Sequence, residues 1–224
     1  MTIGIIGAME QEVALLKLKL AHPQIKKAAG LDFFTGQLGG KNVVVVRSGI
    51  GKVNAAICAQ VLISLFGANY IINTGVAGGL DPTLNIGDIV VSTDLVQHDM
   101  DVHYFSHPRG MIPGLGIAFF AADTSLVQAA MEAGATITGR IATGDCFVSD
   151  SEKKQDIAQT FNAMCVEMEG AAIAQTCFLN GIPFVVIRSI SDKADEDATI
   201  SFEQFVEQAA QNSSNLVERM IHSI

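Results

Sequence analysis

The chain has 224 residues, 49% hydrophobic and only 17% charged. That is enough apolar mass to bury a sizeable core, and too much for a disordered chain. With 14 basic against 23 acidic side chains, a formal charge of −9, the surface repels phosphate backbones and anionic lipid; nucleic-acid and membrane-surface binding are excluded, and small neutral or zwitterionic molecules remain as partners.

Residues 2–7 are an apolar run ending at a glycine, which predicts a buried strand. The opening TIGIIGAMEQE carries no basic leader ahead of an apolar stretch, so no signal peptide is expected and the protein is read as cytoplasmic. A helix is expected over 10–20, with Val13, Leu16 and Leu20 at helical spacing and Glu10 and Glu12 in its first turn. Strands at 31–38 and 42–48 flank Gly39-Gly40, a hairpin turn. A glycine-broken turn at 49–51 leads into a helix to about Phe66 and an apolar strand near 69–73. Residues 55–72 come nearest to a membrane span, but Gln60, Ser64, Gly67 and Asn69 divide them into helix, break and strand.

A strand near 88–96 precedes residues 99–120, the least regular stretch. It holds His103, His107, Pro108, Gly110, Pro113, Gly114 and Gly116, and reads as a surface excursion. Then come a helix near 123–133, a strand near 136–143, a helix near 151–160 and a strand near 164–168. A helix near 169–180 and a strand over 183–188 follow. The last helix is expected from Ser201, where Ser201 and Gln204 fit a capping box. Strands alternating with helices predict one α/β domain over residues 1–224 with a mostly parallel or mixed sheet. Cys58, Cys146, Cys165 and Cys177 lack CxxC spacing and read as reduced, buried hydrophobes.

Ligands of such sheets bind beyond the carboxyl ends of the strands. Six segments there pair an apolar strand with a sudden cluster of small or acidic residues: 7–12, 48–55, 73–79, 143–148, 166–170 and 188–192. Gly49-Ile50-Gly51-Lys52 is not a phosphate loop, because Val46 stands where the first glycine of GxxxxGK belongs and Val53 follows the lysine; Asn54 likewise spoils GxGxxG. The segment HDMDVHYFSH at 98–107 puts no metal-ligand set on one face, so no metal and no cofactor are expected. The carboxylates carry more. Glu12 suits either helix capping or chemistry at the positive end of the helix dipole. Glu167 and Glu169 flank Met168 and point by alternation to one side, unless one of them caps the next helix. Asp192 follows an apolar strand, as a turn residue or as an acid. Three strand ends of one sheet can bring these groups to one pocket.

Read in this order and at these intervals, GAMEQE, SGIGKVNAA, NTGVAGGL, GDIVVS, HDMDV, ATGDCFV, VEMEGAAIAQ and VVIRSISD resemble the 5′-methylthioadenosine/S-adenosylhomocysteine nucleosidases, within the purine nucleoside phosphorylase superfamily. The resemblance runs from Ile3 to about Phe205. It implies a three-layer α/β/α sandwich around a mixed, partly closed β-sheet, usually as a homodimer. The implied reaction hydrolyses the N-glycosidic bond of 5′-methylthioadenosine or S-adenosylhomocysteine, with 5′-deoxyadenosine as a further candidate. Asp192 matches the acid at adenine N7, and Glu12 the base that activates water. Glu169, with the backbone at Met168, matches the grip on the ribose hydroxyls; Phe147 and Val148 frame adenine, and Gly78 is a close backbone position. Met9, Ile50, Met168 and Phe202 match the 5′-alkylthio pocket.

Val102, Phe105 and Pro113 resemble residues given by the neighbouring subunit, which makes the 99–120 excursion a dimer element. Arg188 matches an arginine near water and ribose, or serves a structural ion pair. One departure is Val76 in NTGVAGG, where this family commonly has a serine. The lost hydroxyl favours hydrolysis over phosphorolysis. The alternatives are a phosphate-dependent phosphorylase, for which only Arg47 and Arg188 stand near the water site, an aminofutalosine hydrolase, and a nucleoside sensor without catalysis. A sensor predicts loss of Glu12, Glu169 or Asp192, and all three are present.

Overall fold

The computed structural model describes residues 1–224. Its strands are β1 (Thr2–Gly7), β2 (Ala21–Ala28), β3 (Leu31–Leu38), β4 (Lys41–Arg47), β5 (Tyr70–Gly79), β6 (Ile89–Gln97), β7 (Phe119–Ala121), β8 (Ile137–Thr143), β9 (Cys165–Glu167) and β10 (Phe184–Asp192). The helices are α1 (Glu10–Leu18), α2 (Lys52–Phe66), α3 (Thr124–Glu132), α4 (Ser151–Phe161), α5 (Gly170–Asn180) and α6 (Ala198–Ile221).

Strands covered on both faces read as unbroken apolar runs. β1, the valines of β4 and the first four residues of β10, Phe184 to Ile187, are of this kind. β5 is the hub, parallel to β1 on one side and to β10 on the other. β10 also pairs with β6, β6 with β8, β8 with β9, and β9 returns to β5, so five strands close into a ring. β1, β4, β3 and β2 continue from β5 as an open wing. The sheet mixes parallel and antiparallel pairs, as the fold resemblance implies. α2 and α5 pack together on one face, and α1, α3 and α6 on the other. The ring and its two helical layers form the three-layer architecture.

Several elements differ from the sequence reading, each for a local reason. β2 was not expected: AHPQIKKA has no apolar alternation, and nearly all of it is exposed. It is the free edge of the wing, and Pro23, Lys26, Lys27 and an irregular register near Ala21 and Gln24 discourage pairing with another chain. β5 and β10 run beyond the expected 69–73 and 183–188, because their small and polar ends are themselves in the ladder. The last two residues of the supposed 99–120 excursion, Phe119 and Phe120, open β7, against β6. α6 begins at Ala198 rather than Ser201. A turn in which the Ala198 N–H donates to the Asp195 carbonyl, at 2.9 Å, and burial of Ala198 start it early. The stretch 55–72 divides between α2 and β5, and no helix is long and apolar enough to cross a membrane.

Candidate active site

All six strand-end segments open onto one cleft of about 600 Å³. β1 delivers Met9 and Glu12, the turn after β4 Ile50, β5 Gly78, the turn after β8 Phe147 and Val148, β9 Met168 and Glu169, and β10 Asp192, while Phe202 reaches in from α6.

Glu12 is buried in the first turn of α1. Its Oε2 accepts from the Ala8 and Met9 N–H groups at 2.6 and 2.9 Å, and Oε1 from the Val76 N–H at 3.0 Å. One carboxylate thus ties α1 to the β5 backbone and still faces the cleft, so its capping and chemical readings coexist. Burial pushes its carboxyl up, against the pull of Arg188 and the three N–H groups. Gly75 makes this approach possible, since a Cβ there would stand 2.4 Å from Glu12 Oε1. Val76 contributes through its backbone, which a serine would do equally.

Asp192 owes its aim to a bulge. β10 pairs in step with β5 from Phe184↔Ile71 to Ile190↔Ala77, then slips so that Asp192 faces Gly78 with Ser191 in excess. Oδ1 accepts from the Ala194 N–H at 2.9 Å and Oδ2 from the Ser191 hydroxyl at 2.8 Å. Burial raises the Asp192 carboxyl, and these two bonds oppose it. A Cβ on Gly78 would lie 2.8 Å from Oδ1, so the glycine leaves room for the acid.

The two glutamates of VEMEG divide their work. Glu167 accepts from the Glu169 and Gly170 N–H groups at 3.0 and 2.7 Å, from the Thr143 hydroxyl and from Arg188, and so closes the start of α5. Glu169 instead turns to the cleft. Its Oε1 accepts from the Gly51 N–H at 2.8 Å, at a left-handed turn (φ 98°) that glycine adopts without strain. Burial first, then repulsion from Glu167, raise its carboxyl, while Arg188 and the Gly51 N–H pull it down.

Arg188 does not line the cleft. It lies fully buried behind Glu167 and Glu169 and donates to Asn73 at 2.6 Å, to the Ile187 carbonyl at 3.3 Å and to Glu167. Its Nε has no partner. Of its two sequence readings, the ion pair describes its contacts. Arg47 is exposed and also stands outside this cleft. Phe147 meets Phe202 edge-on at 5.7 Å, across one end of the opening. Val102, Phe105 and Pro113 do not reach the cleft of their own chain. In HDMDVHYFSH, Asp99 accepts from Lys52 Nζ at 2.7 Å and from the Asp145 N–H at 3.0 Å, while Asp101 pairs with His103 on the surface. Ser191, which the sequence reading does not single out, lies on the wall, as does Cys146, which is half-buried there rather than the buried hydrophobe expected. The hydroxyl beside the acid in RSISD was the one available signal.

Comparison with known proteins completes the description. The chain matches the phosphorylase superfamily over residues 2–222. It is 47% identical to the 5′-methylthioadenosine/S-adenosylhomocysteine nucleosidase of Anoxybacillus flavithermus, over 100% of this chain and 99% of that protein. It is similar in structure to the nucleosidase of the same name from Neisseria meningitidis in complex with methylthio-immucillin-A, with a TM-score of 0.96, 43% identity, and 100% and 99% of the two chains covered. A futalosine hydrolase of Helicobacter pylori is similar at a TM-score of 0.96 and 38% identity, covering 100% of this chain and 98% of that one.

Proposed function

The chain belongs to the phosphorylase superfamily and, within it, to the 5′-methylthioadenosine/S-adenosylhomocysteine nucleosidases, and from that premise we propose that Glu12 and Asp192 are its base and its acid. The enzyme hydrolyses the N-glycosidic bond of either thionucleoside, giving adenine plus 5-methylthioribose or S-ribosylhomocysteine.

One observation carries the assignment. β1 and β10 flank β5, and each brings one buried carboxylate with its own set of partners to the same cleft. Loss of adenine pushes electrons into the base, and a proton on N7 turns it into a neutral leaving group. Burial shifts the Asp192 carboxyl toward the neutral form that can donate this proton. Glu12 draws a proton from the water that attacks C1′. Each role is worth about 10²–10⁴-fold in rate. Glu169 takes the ribose hydroxyls in hydrogen bonds, charge-assisted in its ionised form, beside the Met168 backbone and close to Gly78. Phe147 and Val148 frame adenine, and Met9, Ile50, Met168 and Phe202 surround the 5′-alkylthio group. Residues 1–224 work as one catalytic domain.

Phosphorolysis needs cations to hold a dianion, and the wall of the cleft has neither Lys nor Arg. Arg188 is already committed to Glu167. Adenine release from 5′-methylthioadenosine is therefore expected to be equal with and without phosphate, with free 5-methylthioribose as product. Release only with phosphate, giving a ribose 1-phosphate, would reassign the reaction.

The active form we assign is a cytoplasmic homodimer, in which Val102, Phe105 and Pro113 of each chain complete the partner's 5′ pocket. Support comes from apolar side chains left open on the excursion and on the paired helices: Tyr104 and Phe105, Val53 and Ile57 of α2, Phe178 and Leu179 of α5. Four free cysteines fit a reducing compartment. Sedimentation at micromolar concentration is expected to give twice the 23.7 kDa chain mass; a monomer there would refute the shared pocket.

A further inference from the structure

Beside the cleft lies a larger hollow of about 1360 Å³, and the two share Ala8, Met9 and Ile50 as a common wall. The hollow is lined with charge, where the cleft is mostly apolar. Two of its three cations are matched: Lys17 sits on both oxygens of Glu10, at 3.0 and 2.9 Å, and Lys27 on Asp32 at 2.7 Å. Arg47 is only loosely paired: its side chain is 58% exposed, and its one ion-pair contact, through a single nitrogen to Glu10 Oε2, is 4.0 Å long. The parallel register of β1 and β4 sets Arg47, the last residue of β4, beside Gly7, the last of β1, and Glu10 follows three residues beyond. Met9 stands between Glu10 and the cleft.

On the reading given above, with adenine at Asp192 and ribose at Glu169, the 5′ sulfur lies against Met9 and Ile50. These residues belong to the shared wall, so any 5′ substituent longer than methyl passes over them into the hollow. We propose that this hollow is the subsite for the amino-acid tail of S-adenosylhomocysteine, with Arg47 taking the α-carboxylate and Glu10 the α-ammonium. A guanidinium presents a planar fork to a carboxylate, and Arg47 has that fork only loosely engaged. Glu10, held in place by Lys17, offers the complementary charge to a zwitterion. A methylthio group has nothing that reaches either. Arg47 is thus a specificity residue, acting on one substrate and not on the other.

The test is steady-state kinetics of Arg47→Ala, Arg47→Lys and Arg47→Glu on 5′-methylthioadenosine and S-adenosylhomocysteine side by side. For S-adenosylhomocysteine, kcat/KM should fall about five- to ten-fold in Arg47→Ala, mainly through KM, as for loss of one partly exposed charge pair with good geometry. The fall should be smaller in Arg47→Lys and larger in Arg47→Glu. On 5′-methylthioadenosine all three should stay within about two-fold of wild type, which also shows that the variants are folded. An equal loss on both substrates, or no loss on either, overturns the subsite. A wild-type enzyme that released adenine from neither substrate would overturn the nucleosidase reading itself, and the subsite with it.

Discussion

Asp192→Asn is expected to lower kcat for adenine release by about 10²–10⁴-fold while leaving the fold in place. The substitution suits the site closely. An asparagine carbonyl in the position of Oδ1 keeps the bond from the Ala194 N–H, and the Ser191 hydroxyl, a donor to Oδ2 in the native protein, can turn to accept from the new amide. No charge is left unpaired, and the buried site loses a group that burial already disfavours as an anion. What is lost is the proton, since an amide can hydrogen-bond to N7 but cannot protonate it. The check is single-turnover adenine release beside a thermal unfolding curve. A large kinetic loss with an unchanged midpoint is the expected result, and near-normal release would remove Asp192 from the mechanism.

The wild-type pH profile carries the same logic. Asp192 must be protonated to act and its carboxyl is raised, so kcat/KM should fall as pH rises through that elevated value. Glu12 must be ionised to act and is also raised, so activity should fall on the acid side at a pH above the ordinary carboxylate range.

Glu12→Gln should cost about 10²–10⁴-fold in turnover as well, but with a structural penalty that Asp192→Asn avoids. The native carboxylate accepts three backbone N–H groups with its two oxygens. Glutamine has one oxygen, so its amide must face at least one N–H that then goes unpaired, at a cost of roughly 1–3 kcal/mol for a buried donor. The thermal midpoint should therefore drop along with the rate, while an inhibitor that resembles the substrate still binds. If stability fell and kcat stayed, Glu12 would be a helix cap and nothing more. Measuring both quantities on one preparation separates the two roles.

Most of the fold was legible because parallel, doubly covered strands announce themselves as apolar runs ending in glycine or acid. The six strand ends were found on that basis, and all six meet at the cleft. What was missed had no such signature. β2 is an exposed edge whose Pro23 and paired lysines read as loop. The last residues of β5 and β10 are small or polar because they form the site, so the pattern that marks a strand fades where the chemistry begins. At Glu167 and Glu169 the sequence leaves two arrangements open, because the chain leaves β9 between them; both border the cleft, and the contacts to Thr143, Arg188 and Gly51 show that Glu167 is the one that closes the start of α5.

The position of β10 also constrains how the molecule is made. This strand fills the gap between β5 and β6 and closes the ring, yet residues 98–183 separate it from β6 along the chain. Until residues 184–192 leave the ribosome, β5 and β6 each keep an unpaired edge of buried-type side chains. Such edges are templates for the wrong partner. The nascent chain thus passes through a long open interval in which Glu12 and Glu169 exist but no cleft does. Slow refolding from denaturant, set by a late, non-local strand insertion, is the expected consequence of this topology.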